Sequence, residues 1–88
     1  MINKIVAIQG NHPSKLNPKS DTSIFIAVDA QNRKYKIFYY EPKDLSIIND
    51  KVVAKGYYIE FNYTNNNFFK IINKQTLDLS KCKYLLIR

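Results

Sequence analysis

Two short, unbroken apolar runs bracket one helical stretch near the start of the chain, and that order restricts the fold more than any other feature. Lys4-Ile5-Val6-Ala7-Ile8 shows no polar alternation. Strands covered on both faces read this way, as in a parallel sheet flanked by helices. Gln9 to Ser20 holds Gly10, Asn11, Pro13, Asn17 and Pro18, which makes it a loop of about a dozen residues. Loops of that length inside compact domains are often functional. Ser20 or Asp21 then offers a side-chain oxygen to the orphan amides of a helix start, and Asp21 complements the positive end of the helix dipole. Ile24, Ala27, Val28 and Gln31 recur at helical spacing up to about Arg33. Ile24 to Val28 alone fits a buried strand equally well; the cap before it and the polar tail Asp29 to Lys34 after it decide for helix. Tyr35 to Tyr40 is dense in β-formers, and Pro42 ends that strand by forcing Glu41 out of the helical region. Strand, loop, helix and strand form a βαβ unit, whose right-handed crossover makes its two strands parallel.

The pattern then changes. Ser46-Ile47-Ile48 and Lys51-Val52-Val53-Ala54 flank Asn49-Asp50, a turn pair tolerant of positive φ. Tyr57, Ile59, Phe61 and Tyr63 alternate with Tyr58, Glu60 and Asn62, the period of a strand. Thr64 to Asn67 is read as a turn, and Phe68 to Ile72 as a returning strand. Ser80-Lys81 is read as a helical turn, and Tyr84 to Ile87 as a buried, central strand of the parallel type. The expected fold class is thus α/β: a mostly parallel, Rossmann-like sheet with an antiparallel β excursion in the middle third. Residues 1–88 form one small domain that buries only about 60–65% of its unfolded surface. Arg88 follows directly after an apolar strand, at the rim where ligands bind in open α/β sheets.

Composition removes several kinds of chemistry. Gly10 and Gly56 are the only glycines and lie far apart, so no glycine-rich loop cradles a phosphate. His12 and Cys82 alone cannot assemble a Cys/His metal set, and they give a poor prospect for a Cys–His nucleophile pair. The net charge of +7 has two readings. One is a nucleic-acid footprint, with only Arg33 and Arg88 able to offer a bidentate fork. The other is codon bias in a chain crowded with Lys, Asn, Ile, Tyr and Phe; the scatter of the lysines, without a run of like charge, favours it. A lone cysteine fits a reducing compartment, and no apolar run is long enough for a signal peptide or a membrane span. A cytoplasmic location is expected.

Three clusters carry a resemblance. Leu16-Asn17-Pro18-Lys19-Ser20-Asp21-Thr22-Ser23, then Ala30-Gln31 with Arg33, then Tyr39-Tyr40-Glu41-Pro42-Lys43-Asp44-Leu45-Ser46 match in order. Together with the spacing onward to Leu86-Ile87-Arg88, they resemble the N-terminal domain of prokaryotic glutathione synthetase over essentially the whole chain. Two departures are visible: Gln9-Gly10-Asn11-His12-Pro13 stands where many members carry Met-Asp-Pro, and Lys34 where a helix-terminating Gly is common. The resemblance implies a Rossmann-like domain that precedes an ATP-grasp domain, which this chain lacks. The complete enzyme it implies joins γ-glutamylcysteine to glycine with ATP and magnesium, through an acyl phosphate, and forms homo-oligomers. The 88 residues alone are expected to be inactive, since nucleotide, metal and most catalytic groups belong to the ATP-grasp part.

Candidate substrate contacts follow. Arg88 would hold a substrate carboxylate bidentately, and the resemblance places a family arginine there. Asp21 with Ser20, Thr22 and Ser23 stands at a helix start, whose amides favour anions, although plain capping is the stronger reading. His12 is expected to be a solvent-exposed loop histidine, and Cys82 a small buried residue under the last strand. The aromatics Tyr39, Tyr40, Tyr57, Tyr58, Phe61, Tyr63, Phe68 and Phe69 are expected in the core and in cross-strand pairs rather than as base-stacking platforms. Two alternatives of other classes stay open: a basic single-stranded nucleic-acid-binding module, and a freestanding homodimeric interaction domain that pairs exposed strand edges.

Overall fold

The computed structural model describes residues 4–17, 21–62 and 68–87. Among these residues six strands and one α-helix follow one another as β1 (Ile5–Gln9), α1 (Thr22–Asn32), β2 (Lys36–Tyr40), β3 (Leu45–Ile48), β4 (Lys51–Phe61), β5 (Phe69–Asp78) and β6 (Tyr84–Ile87). The expected βαβ unit is present. β1 and β2 are parallel neighbours, with Ala7 opposite Phe38, and β6 joins the other edge of β1 in the same direction, with Ala7 opposite Leu85.

The middle third is antiparallel and is built around β4. Its first half pairs with β3, Ala54 opposite Leu45, and its second half with β2, Tyr57 opposite Tyr39. β5 runs along the opposite edge of β4 from Val53 to Phe61. β3 and β2 therefore share one edge of the same strand. Gly56 lies between the two pairings, where a Cβ would run into the Tyr39 carbonyl and come within 2.9 Å of the Tyr40 Cβ. Asn49 and Asp50 take φ of 50° and 65°, the mirror-image turn geometry that matches hairpin twist.

The sheet is accordingly mixed, with two parallel and three antiparallel pairings, rather than mostly parallel. β4 pairs with β2 as well as with β3 and β5, which joins the antiparallel excursion to the parallel strands in one sheet; β5 also runs on past the expected Ile72 through a polar part, Asn73-Lys74-Gln75-Thr76. It carries no apolar alternation to announce a strand, yet β4 offers it a full ladder of backbone partners. Its side chains are exposed, as befits a sheet edge.

Alternation along β1 and β2 divides the core in two. Val6, Ile8, Ile37 and Tyr39 pack with Ile24, Ala27 and Ala30 of the helix and with Ile59 and Phe61. Ile5, Ala7, Phe38 and Tyr40 face the other way, onto Ala54, Leu77 and Leu79. The two strands are covered on both faces, as their unbroken apolar runs imply. A helix covers one face only; the curled ends of β4 and β5 and the 3₁₀ turn Leu79–Lys81 cover the other.

Asp21 caps α1, its Oδ1 accepting from the Ser23 amide at 2.8 Å. At the far end Tyr35 N–H reaches the Ala30 carbonyl and Lys34 N–H the Gln31 carbonyl, both at 3.0 Å. Lys34 sits at φ 71°, so this is a Schellman cap with lysine at the position that favours glycine. Gln31 leaves the helix to clamp β4: its Nε2 donates to the Phe61 carbonyl at 2.9 Å, and its Oε1 accepts from the Phe61 amide at 2.7 Å.

β6 differs from expectation. It is parallel to β1, but it is an edge strand rather than a buried central one, and Tyr84, Leu85 and Ile87 are 48–64% exposed. Its apolar run reads as buried because nothing in four residues distinguishes a covered strand from an uncovered one. The expected turn at Thr64 to Asn67, and Tyr63 before it, lie outside the described residues. No helix among the described residues is long and apolar enough to cross a membrane.

Candidate functional site

A parallel strand pair leaves its backbone ends open at the carboxyl side, and there the chain makes its long loop. Gly10 N–H donates to the Tyr40 carbonyl at 3.1 Å, which closes the β1–β2 ladder. The loop then turns over the strand ends. The Tyr39 hydroxyl donates to the Asn11 carbonyl at 2.6 Å. His12 heads a short 3₁₀ turn, Pro13–Lys15, its Nδ1 accepting from the Ser14 amide at 3.2 Å and lying 2.9 Å from the Ser14 Oγ. Buried Pro13 anchors that turn.

Between this loop, the helix start and the strand ends lies a cleft of about 390 Å³, lined by Gly10, Asn11, Leu16, Asp21, Ser23, Tyr39 and Ile87. It occupies the position where open α/β sheets bind ligands. Two larger grooves, of about 620 and 440 Å³, lie elsewhere. One runs beside Gln31, Tyr58 and Glu60; the other is mainly apolar and separates α1 from β6. Neither combines strand ends with a helix start.

The sequence-derived residues divide as follows. Asp21 lines the cleft, but its carboxylate is engaged by the Ser23 amide, so capping is its visible role. Ser23 lines the cleft and is buried, whereas Thr22 is exposed and outside the lining. Ser20 and Arg88 lie outside the described residues. Tyr39, Asn11, Gly10 and Leu16 were not singled out as site residues. The available signal was the position of Tyr39 near the end of β2, beside a loop rich in turn formers.

Cys82, Tyr57, Tyr40 and His12 lie outside the cleft lining. Cys82 is half-buried against the second core cluster, and burial, with Asp78 nearby, pushes its thiol up to about 11. Burial, aided by Glu41 and Asp44, pushes the Tyr57 phenol up to about 12, and its hydroxyl finds no partner among the described residues. Burial and then Cys82 also raise Tyr40. His12 is half-buried rather than solvent-exposed, because its ring lies 6.4 Å from that of Tyr57 and 6.3 Å from that of Phe69. The aromatics form the expected cross-strand pairs: Tyr39 stacks on Tyr57 at 6.2 Å, and Phe38 meets Tyr58 edge-on at 5.5 Å.

Among the described residues no three His, Cys, Asp or Glu side chains converge. Asp21 and Tyr39 are the titratable groups of the cleft lining, one tied to an amide and the other to a carbonyl. The arrangement can hold and orient a small polar molecule; among the described residues its lining contains no paired acid and base.

Comparison with known proteins shows the family. The family described as "Prokaryotic glutathione synthetase, N-terminal domain" matches residues 5–88. The glutathione synthetase of Agrobacterium fabrum is 32% identical over 97% of this chain, which covers 27% of that protein. Those of Buchnera aphidicola subsp. Schizaphis graminum and Wigglesworthia glossinidia brevipalpis are 34% and 32% identical over 83% and 85% of the chain, covering 23% and 24% of their lengths. The chain thus spans about a quarter of the curated relatives it matches, and it belongs to the prokaryotic glutathione synthetase N-terminal domain family.

Proposed function

We propose that the chain is the substrate-side domain of a cytoplasmic glutathione synthetase, whose complete form ligates γ-glutamylcysteine to glycine at the expense of ATP. The observation that carries this reading is the coincidence of the family match with a cleft at the carboxyl ends of β1, β2 and β6, against the start of α1. The β1–α1–β2 unit supports a Rossmann-like, pre-ATP-grasp ancestry.

ATP and magnesium belong to the complete enzyme in this reading. The residues here do not fit them: no acidic cluster converges among the described residues, and the two glycines are far apart in sequence. No step is therefore derived through either group. The chain's own contribution is to bind and orient. Arg88 receives a substrate carboxylate in a bidentate pair, and what supports it is that Ile87, the preceding residue, lines the cleft. The apolar groove between α1 and β6, with Ile26, Tyr84 and Leu85 on its walls, is the side offered to the ATP-grasp domain.

The test is a chimera in which residues 1–88 replace the matching quarter of the Agrobacterium fabrum enzyme. Ligation that requires γ-glutamylcysteine, glycine and ATP together is expected, with KM for γ-glutamylcysteine raised by Arg88→Lys. A folded chimera without turnover overturns the reading. In a coupled ATPase assay the isolated chain is expected to show nothing; turnover by it alone overturns the assignment of catalysis to the ATP-grasp part.

A further inference from the structure

The loop that walls the cleft is fastened at several points, and the bonds differ in chemistry. Gly10 N–H donates to the Tyr40 carbonyl, and the Tyr39 hydroxyl to the Asn11 carbonyl. Within the turn, Lys15 N–H reaches the His12 carbonyl at 2.9 Å and Leu16 N–H the Pro13 carbonyl at 3.0 Å. None of these donor and acceptor types ordinarily changes charge near neutrality. The remaining bond runs from the Ser14 amide to His12 Nδ1. Histidine is the side chain whose charge ordinarily changes between about pH 5 and 8. His12 stands in Gln9–Pro13, one of the two departures from the family pattern, so this bond is particular to the chain.

The geometry at His12 makes that charge matter. To accept from the Ser14 amide, Nδ1 must carry no hydrogen, so the neutral ring holds its proton on Nε2. The Ser14 Oγ lies 2.9 Å from the same nitrogen. A hydroxyl can donate to bare Nδ1 or accept from a protonated one, whereas an amide can only donate. Protonation therefore moves the bond from amide to hydroxyl. It leaves the Ser14 N–H, in the first turn of Pro13–Lys15, facing another donor. A single helical turn has few partners for its amides, and the cap is one of them.

The elements packed against the ring do not cancel this. It rests on Tyr57 of β4 and Phe69 of β5. Burial, aided by Glu41 and Asp44 from the turn after β2, keeps the Tyr57 phenol protonated up to about 12. Lys74 lies opposite Tyr57 in the β4–β5 register, and Lys55 lies two residues before it on the same face. Lys15 belongs to the turn itself. Among the described residues no carboxylate comes within ion-pair distance of the imidazole. Asn11 and Leu16, on either side of the capped turn, line the cleft. We propose that His12 is an acid-sensitive latch on the cleft wall: protonation frees the Ser14 amide, loosens residues 11–16 and weakens the hold of the cleft on its ligand. Only the last of these steps rests on the reading of the cleft as a substrate site.

The test is amide exchange of the 88-residue chain, without ligand, at about pH 7.5 and about pH 5, on the two sides of the ordinary imidazole range. With intrinsic rates divided out, protection of the Ser14, Lys15 and Leu16 amides is expected to fall about two- to tenfold at the lower pH, the equivalent of one ordinary hydrogen bond. The amides of β1 are expected to hold theirs. His12→Asn, whose side chain caps but does not titrate, is expected to keep the turn protected at both pH values. His12→Ala is expected to leave it poorly protected at both. Equal protection of the unaltered turn at the two pH values overturns the proposal, and so does a fall that persists undiminished in His12→Asn. No substrate enters these measurements, so their failure is separate from that of the synthetase assignment. In the chimera, KM for γ-glutamylcysteine is expected to rise on acidification more than it does with His12→Asn; an equal rise in both overturns the link between latch and ligand.

Discussion

The Tyr39 hydroxyl donates to the Asn11 carbonyl at 2.6 Å, and this contact fastens the long loop over the ends of the parallel strands. Tyr39 is otherwise a core residue, fully buried beneath the helix and stacked on Tyr57. One side chain thus belongs to the core through its ring and to the cleft through its oxygen. Tyr39→Phe keeps the ring and removes the tether. The expected loss of stability is about 1 kcal/mol, as for an ordinary hydrogen bond whose acceptor regains water. Chemical denaturation measures it, and amide exchange in the 10–17 loop should rise more than exchange in β1.

Gly56 stands where β4 leaves β3 and meets β2. A Cβ there runs into the Tyr39 carbonyl and crowds the Tyr40 Cβ at 2.9 Å, which backbone and a buried ring cannot yield cheaply. Gly56→Ala is expected to destabilise by roughly 1–3 kcal/mol, the range for overpacking. A thermal melt that fails to move would show that β4 can shift away from β2.

Lys34 closes α1 at φ 71°, with Lys34 N–H and Tyr35 N–H completing the cap. A side chain in this conformation is strained by about 1 kcal/mol relative to glycine. Lys34→Gly is expected to raise stability by up to about that amount, read from the denaturation midpoint with an unchanged slope.

Cys82 and Tyr57 are both held protonated by burial, at about 11 and about 12. Both are acids whose folded values are raised, so the fold favours their neutral forms. Their contribution is complete below the ordinary thiol and phenol values, and it fades as pH climbs from those values through 11 and 12. Stability should be flat near neutrality and fall progressively above about pH 9. Thiol labelling at neutral pH should be slow in native protein and fast in denaturant, since the thiolate is the reactive form. Rapid labelling of the native chain would contradict the burial of Cys82.

The sequence by itself determined the local elements that obey short-range rules. β1 and β2 are unbroken apolar runs because both faces are covered, and alternation of their side chains divides the core. Asp21 caps, Asn49-Asp50 turns and Pro42 terminates through chemistry that reaches only a few residues. The family resemblance was legible for the same reason, in ordered clusters at loop and helix ends. Tertiary structure alone decided what depends on distant partners. β5 is a long strand because β4 lends it backbone partners; its polar side chains gave no hint of this. β6 is an exposed edge because nothing described lies beyond it. The cleft joins Gly10, Asp21, Tyr39 and Ile87, residues drawn from a loop, a helix and two strands, and no spacing along the chain encodes that meeting. Backbone hydrogen bonds and burial are satisfied by whichever segment arrives, so pairing at range is a property of the whole fold.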